Sequence, residues 1–83
     1  MKETWILGIR ISDRLHAATE VQSVLTKYGC TIRTRLGLHE IAGEYVSPEG
    51  IIILELTGQP DEFLKLENEL LVLEGVTVRK MVF

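Results

Sequence analysis

The sequence predicts a single α+β domain of the βαββαβ type, and three observations carry that expectation. Three segments alternate apolar and polar residues at period two, and a fourth is β-branched and apolar on both faces, which are the two signatures of strands. Two further segments place apolar residues at three- and four-residue spacing, the signature of an amphipathic helix. Glycine, proline or cap-forming residues stand where one pattern gives way to the next.

In chain order, Trp5, Leu7, Ile9 and Ile11 alternate with Thr4, Ile6, Gly8 and Arg10, giving a first strand from Thr4 to Ser12. Ser12-Asp13 offers cap chemistry, and Leu15, Ala18, Val21, Leu25 and Tyr28 form the stripe of a first helix that Gly29 closes. From Cys30 to Ile41 a long second strand sets Ile32, Thr34, Leu36 and Leu38 on one face, with Thr31, Arg33, Arg35, Gly37 and His39 on the other. The turn formers between Ala42 and Gly50 read as a hairpin loop, and Ile51 to Thr57 as a central strand. Pro60, Asp61 and Glu62 suit the first turn of a second helix, with Phe63, Leu66, Leu70 and Leu73 as its buried stripe. Gly75 ends it, and Val76 to Phe83 alternates as the last strand.

This order is the ferredoxin-like arrangement, a four-stranded antiparallel sheet with two helices on one face. The chain of 83 residues is expected to be one domain over its whole length, since a second core could not be built from the remainder. Trp5, Leu7, Ile9, Ile32, Leu36, Leu38, Ile52, Leu54, Leu56, Val76 and Val78 are expected on the helix-covered face. The uncovered face then has Ile6, Gly8, Ile51 and Ile53 at its centre, with Arg10, Arg33, Arg35, His39, Glu55 and Arg79 around them. An apolar centre with a charged rim predicts self-association, as a dimer or tetramer.

Composition narrows the function. Nine basic residues against twelve acidic ones give a net charge of −3, the wrong sign for a protein that binds nucleic acid by neutralising phosphates. The open face also lacks the aromatic side chains on which RNA-binding sheets stack bases. No direct sequence-specific nucleic-acid binding is expected. A single cysteine, Cys30, excludes an intrachain disulfide and is expected to be buried after the helix-ending glycine; the cytoplasm is the default compartment. No run approaches the ~18 consecutive apolar residues of a membrane span, and no export signal is recognised, so no membrane partner is expected.

No catalytic or cofactor signature is present. Cys30, His16 and His39 show no metal-ligand spacing, the glycines are scattered singly, and the paired carboxylates Asp61-Glu62 and Glu67/Glu69 lie on a helix with its own apolar stripe. Catalytic residues, resident metal and cofactor are therefore all expected to be absent. The alternative is a site formed between subunits, either a small enzyme using His39 with Glu40 or Arg35, or metal binding through His39 and Cys30.

The segment Thr31-Ile32-Arg33-Thr34-Arg35-Leu36-Gly37-Leu38-His39-Glu40, with Tyr28-Gly29, the run Gly50 to Leu56 and Leu73-Glu74-Gly75-Val76 at their spacings, resembles the ACT-like group of ferredoxin-fold domains. Within that group the chain is most similar to small stand-alone proteins described as regulators of the iron-only hydrogenase system, and more distantly to the C-terminal domain of the nickel-responsive repressor. The resemblance implies a non-enzymatic regulatory module that binds a small effector or assembles through its sheets. The repressor's nickel-ligand positions correspond to Gly37, His39 and Gly50, so nickel binding in that manner is not expected; its ribbon-helix-helix arm has no counterpart either. In ACT-like domains effectors lie near the turn from the first strand into the first helix and at subunit boundaries. This implies a site for a small anionic or amino-acid effector at Ser12, Asp13 and Arg14, with Arg35 and His39 supplied by a neighbouring subunit. The unpaired N–H groups of a helix first turn favour an anion there, although Asp13 could occupy them itself as a cap.

Overall fold

The computed structural model describes residues 3–12, 14–42 and 45–83, and for residues 14–16, 38–42 and 45–49 it describes the backbone. The elements run β1 (Trp5–Ile11), α1 (Arg14–Lys27), a short 3-10 turn (Gly29–Thr31), β2 (Ile32–Ala42), β3 (Tyr45–Leu56), α2 (Pro60–Leu71) and β4 (Val76–Val82). The four strands form one antiparallel sheet in the order β2-β3-β1-β4, the ferredoxin-like βαββαβ fold that the alternation predicts.

Alternation places Trp5, Leu7, Ile9 and Ile11 on one face of β1, and all four are buried. Leu54 of β3 and Val78 of β4 stand opposite Leu7 and Ile9, and both are buried on the same side. The helices close this layer with Ala17, Val21 and Leu25 from α1 and Phe63, Leu66 and Leu70 from α2. The Phe63 and Trp5 rings meet in a tilted contact with centroids 5.4 Å apart, a geometry aromatic quadrupoles favour. Lys80 lies over the other part of this corner, 4.3 Å from the Trp5 ring and 3.1 Å from the Glu67 carboxylate. α2 opens on Pro60 at its first turn, where a missing N–H costs no hydrogen bond, and Gly75 takes a φ of 76° in the turn that follows the helix.

The second strand departs from simple alternation. Ile32 stands opposite Leu56, but the next pair is Thr34 with Glu55, so Arg33 is an extra residue in β2, a β-bulge. From there on every residue of β2 is shifted by one position. Leu36 pairs with Ile53 and Leu38 with Ile51, while Arg35 pairs with Leu54, Gly37 with Ile52 and His39 with Gly50. Leu36 therefore lies on the open face, 53% exposed, and not in the helix-covered layer where uninterrupted alternation puts it. Leu38 follows it by register. Arg35 and His39 move to the other side, which corrects their expected place on the rim of the open face.

Two further expectations are corrected. Of the stretch between Ala42 and Gly50, Tyr45 onward is already strand β3, with Ile41 opposite Val46 and Ala42 opposite Tyr45 after a second irregularity beyond His39, while Gly43 and Glu44 lie outside the described residues. The pairing of β1 stops at Ile11 opposite Gly50, so the β2–β3 hairpin continues past the four-stranded body with no β1 neighbour. Cys30 is exposed, and the buried member of the 3-10 turn is Thr31, whose carbonyl accepts a hydrogen bond from the Thr57 N–H at 2.7 Å.

The two helices are tied at one end by Tyr28, Lys27 and Glu69. The buried Tyr28 donates its hydroxyl to Glu69, and Lys27 Nζ reaches both Glu69 oxygens at 3.0 and 3.1 Å. The bond to Glu69, then burial and the nearby negative charge, push the Tyr28 hydroxyl up to about 12. The same bond, followed by that from Lys27, holds the Glu69 carboxyl below the ordinary glutamate value. A carboxyl depressed in the folded state contributes stability that is full above its unfolded value and is lost as pH falls through the folded one. Urea unfolding of the wild type and of Glu69→Gln should therefore show a stability gap at about pH 7 that closes below about pH 4. A gap that is the same at both ends contradicts the tie.

Candidate functional site

With the bulge in place, one side of the sheet has no helix against it and carries large apolar residues on all four strands, interspersed with polar ones. Its central row runs Leu36, Ile53, Gly8, Arg79 from β2 to β4. The row on one side is Thr34, Glu55, Ile6, Met81, and the row on the other is Leu38, Ile51, Arg10, Thr77. Met81 is 57% exposed and Ile51 42%, and Ile6 and Ile53 are partly exposed. Large apolar side chains at adjoining positions make a patch of the kind that marks interaction surfaces, in contrast to singly scattered ones.

Charged groups stand among these residues, and two of them are engaged within the chain. The Thr34 hydroxyl donates to Glu55 at 2.9 Å, and the Arg79 guanidinium folds back to donate to the Val78 carbonyl at 3.0 Å. Between them the absence of a side chain at Gly8 leaves a shallow depression of about 260 Å³, walled by Ile6, Ile53, Met81 and Arg79. Its lining is almost wholly apolar, so it suits a hydrocarbon group and offers no general base, nucleophile or metal donor. Among the described residues no cluster of three or more histidine, cysteine, aspartate or glutamate side chains is placed to hold a metal ion.

The residues expected to hold an effector are only partly brought together. Ser12 follows β1 and its hydroxyl and N–H both reach the Gly75 carbonyl, at 3.0 and 2.8 Å, pinning the β1–α1 turn to the α2–β4 turn. That hydroxyl is thus engaged in the fold. Arg14 opens α1, and Asp13 lies outside the described residues. His39 shares a cross-strand row with Gly50 and Ile11, about 10 Å from the β1 backbone by two strand spacings. Arg35, which is exposed, lies four residues back along β2, about 13 Å from His39. Within one chain Ser12 and Arg35 do not form one site. Both Arg35 and His39 sit on an edge strand, open to a neighbouring molecule.

The exposed Leu36 was hidden from sequence reasoning by the bulge, whereas Gly8 and the isoleucines beside it were placed on the open face by alternation. No protein-family model and no curated protein matches the chain. Among solved structures, an uncharacterized protein from Thermotoga maritima is 26% identical to it, with a TM-score of 0.82 and 99% of each chain covered. A nitrogen regulatory PII-like protein from Thiomonas intermedia K12, bound to ADP, AMP and bicarbonate, is 12% identical with a TM-score of 0.58, covering 99% of this chain and 93% of that one. A formyltetrahydrofolate deformylase from Pseudomonas putida KT2440 is 14% identical with a TM-score of 0.56; the match covers 94% of this chain and 28% of the deformylase. The two more distant likenesses show the fold alone. The Thermotoga maritima protein shares that fold end to end.

Gly8 has no left-handed backbone, and a Cβ built on it would meet only the Arg79 carbonyl oxygen, at an ordinary 3.9 Å. The fold does not require glycine there. Gly8→Ala is expected to fold and to be stabilised by about 0.4–1 kcal/mol in chemical denaturation, through lower entropy of the unfolded chain. A clear loss of stability would show instead that Gly8 serves the packing of the monomer.

Proposed function

We propose that this protein is a non-enzymatic regulatory module that works as an assembly of its own copies, joined through the open sheet face. The single observation that carries this reading is the apolar patch of Ile6, Leu36, Ile51, Ile53 and Met81 on a sheet face that no helix covers. Exposing such a surface to water is unfavourable by about 25 cal/mol per Å², and burying it between two copies removes that cost. A domain of this size has a small core and gains stability from assembly.

The regulatory part of the proposal draws on two supports. The chain shares its fold with a nitrogen regulatory PII-like protein, and its sequence resembles the ACT-like regulators of the iron-only hydrogenase system. A small anionic or amino-acid effector is the input proposed, bound at the exposed edge strand β2 that carries Arg35 and His39, away from the face that joins the copies. The lining of the depression speaks for binding and against chemistry at that place, since its surface is almost wholly apolar, with Arg79 and Lys80 as its charged residues.

Sedimentation equilibrium or light scattering at micromolar concentration should give two or four times the 9.4 kDa chain mass. Ile53→Lys puts an ammonium group at the centre of the patch and should weaken assembly at least about tenfold, equivalent to about 1.4 kcal/mol or more. A 9.4 kDa particle for the wild type, or an Ile53→Lys variant that assembles as well as the wild type, contradicts the reading.

A further inference from the structure

The sheet has two edges, β2 and β4, and they are finished differently. Which main-chain groups face out of the sheet follows from two hydrogen bonds. The Phe83 N–H donates to the Thr4 carbonyl and the Ser12 N–H to the Gly75 carbonyl, so the even-numbered residues of β1 bond to β4. Bonding sides alternate along an antiparallel ladder, so the odd-numbered residues of β1 bond to β3, and Ile51, Ile53 and Glu55 of β3 bond to β2. Their partners Leu38, Leu36 and Thr34 use their main-chain groups within the sheet. Those of Arg35 and Gly37 point out of it, about 6.8 Å apart along the strand. At the other edge the same alternation turns the Val78 carbonyl outward, and there the Arg79 guanidinium covers it at 3.0 Å. Lys80 of β4 is also occupied, by Glu67 at 3.1 Å. A covered carbonyl and a lysine on an edge strand both discourage pairing with a further strand.

The β2 edge has no such cover. Arg33 and Arg35 are exposed, and among the described residues neither has a hydrogen-bond or ion-pair partner for its side chain. Gly37 has no left-handed φ, and a Cβ built on it would meet nothing within 4 Å, so the fold does not demand a glycine whose missing side chain leaves the edge bare. Leu36, between Arg35 and Gly37, is 53% exposed on the open face. We infer that β2 receives an extended acidic segment of a partner protein by strand addition, with main-chain pairing at Arg35 and Gly37. Side chains of an added strand alternate as those of β2 do, so one set lies beside Arg35 on the helix side and the other beside Leu36 on the open face. Carboxylates in the first set neutralise Arg35 and apolar groups in the second adjoin Leu36, so the matching segment alternates acidic and apolar residues. A second copy does not supply it, since its edges bring Arg33 and Arg35 from β2 or Arg79 and Lys80 from β4. The inference does not depend on assembly through the open face, and it goes beyond a small effector at this strand because main-chain pairing requires a peptide.

The test titrates the full chain with a short end-blocked peptide alternating glutamate and valine, and with its lysine–valine counterpart, while amide hydrogen exchange is followed by nuclear magnetic resonance. Without peptide the Arg35 and Gly37 amides should exchange quickly; the glutamate peptide should slow both and the lysine peptide neither. Arg35→Glu should reverse that preference. Gly37→Pro removes an outward N–H and no ladder bond, so the variant should unfold in urea much as the wild type does, yet bind the glutamate peptide at least about tenfold more weakly. Methylating the main-chain nitrogens of the peptide should abolish its binding. Arg35 and Gly37 amides already protected without peptide mean that another strand occupies the edge, and overturn the inference. Free glutamate that binds as tightly as the peptide also overturns it, leaving a small-anion site and the effector reading intact. So does equal binding of the two peptides, or slowed exchange at amides away from β2.

Discussion

One extra residue in β2 decides what this protein presents to its surroundings. Because side chains alternate strictly along a strand, a bulge at Arg33 turns every later residue of β2 to the opposite face. Without it, Leu36 and Leu38 would point to the helix side and Arg35, Gly37 and His39 would line the open face. With it, the open face carries large apolar residues from β2 across to β4, and Arg35 and Gly37 fall on the helix side of β2. The physical reason lies in what each side can bury. Arg35 and Gly37 are exposed on the helix side, so this flank of β2 has no roof under which leucines could be buried. Leu36, opposite Ile53, instead gains a cross-strand apolar neighbour.

The rest of the molecule follows from a conventional core. Trp5, Leu7, Ile9, Leu54 and Phe63 hold the helix layer, and the turn contacts of Ser12 with Gly75 and of Thr57 with Thr31 fix the ends of the sheet. The Tyr28, Lys27 and Glu69 group links α1 to α2 at the periphery. All of these groups lie on the helix side or at the sheet ends. The two sides of the sheet thus differ: one is buried under the helices and the other has no helix against it.

Much of this was legible in the sequence. Alternation from Trp5 to Ile11 and the stripe Phe63, Leu66, Leu70 gave their elements and their buried faces correctly, since burial on one side leaves a period that survives in the residue order. The bulge was not legible, because Ile32 to Leu38 alternates without interruption and Arg33 carries none of the glycine signal that often marks an irregular strand position. Its presence is set by the partner strand, through pairs such as Thr34 with Glu55, and that information is nonlocal. The stretch from Ala42 to Gly50 misled for a related reason. Pro48 and Gly50 are turn formers in isolation, but past Gly50 the hairpin has no β1 neighbour, and a strand hydrogen-bonded on one side accommodates a proline and an irregular register. The effector residues were placed by resemblance, and the ladder separates Arg35 from the Ser12 turn within one chain.

Everything presented by the open face depends on the register of β2 against β3, and cross-strand nuclear Overhauser contacts measure that register directly in solution. The bulged pairing predicts that Leu36 shows its backbone and side-chain contacts to Ile53, with Arg35 facing Leu54. Contacts from Leu36 to Ile52, the pairing expected if Arg33 were not bulged, would return Leu36 to the helix side and contradict it.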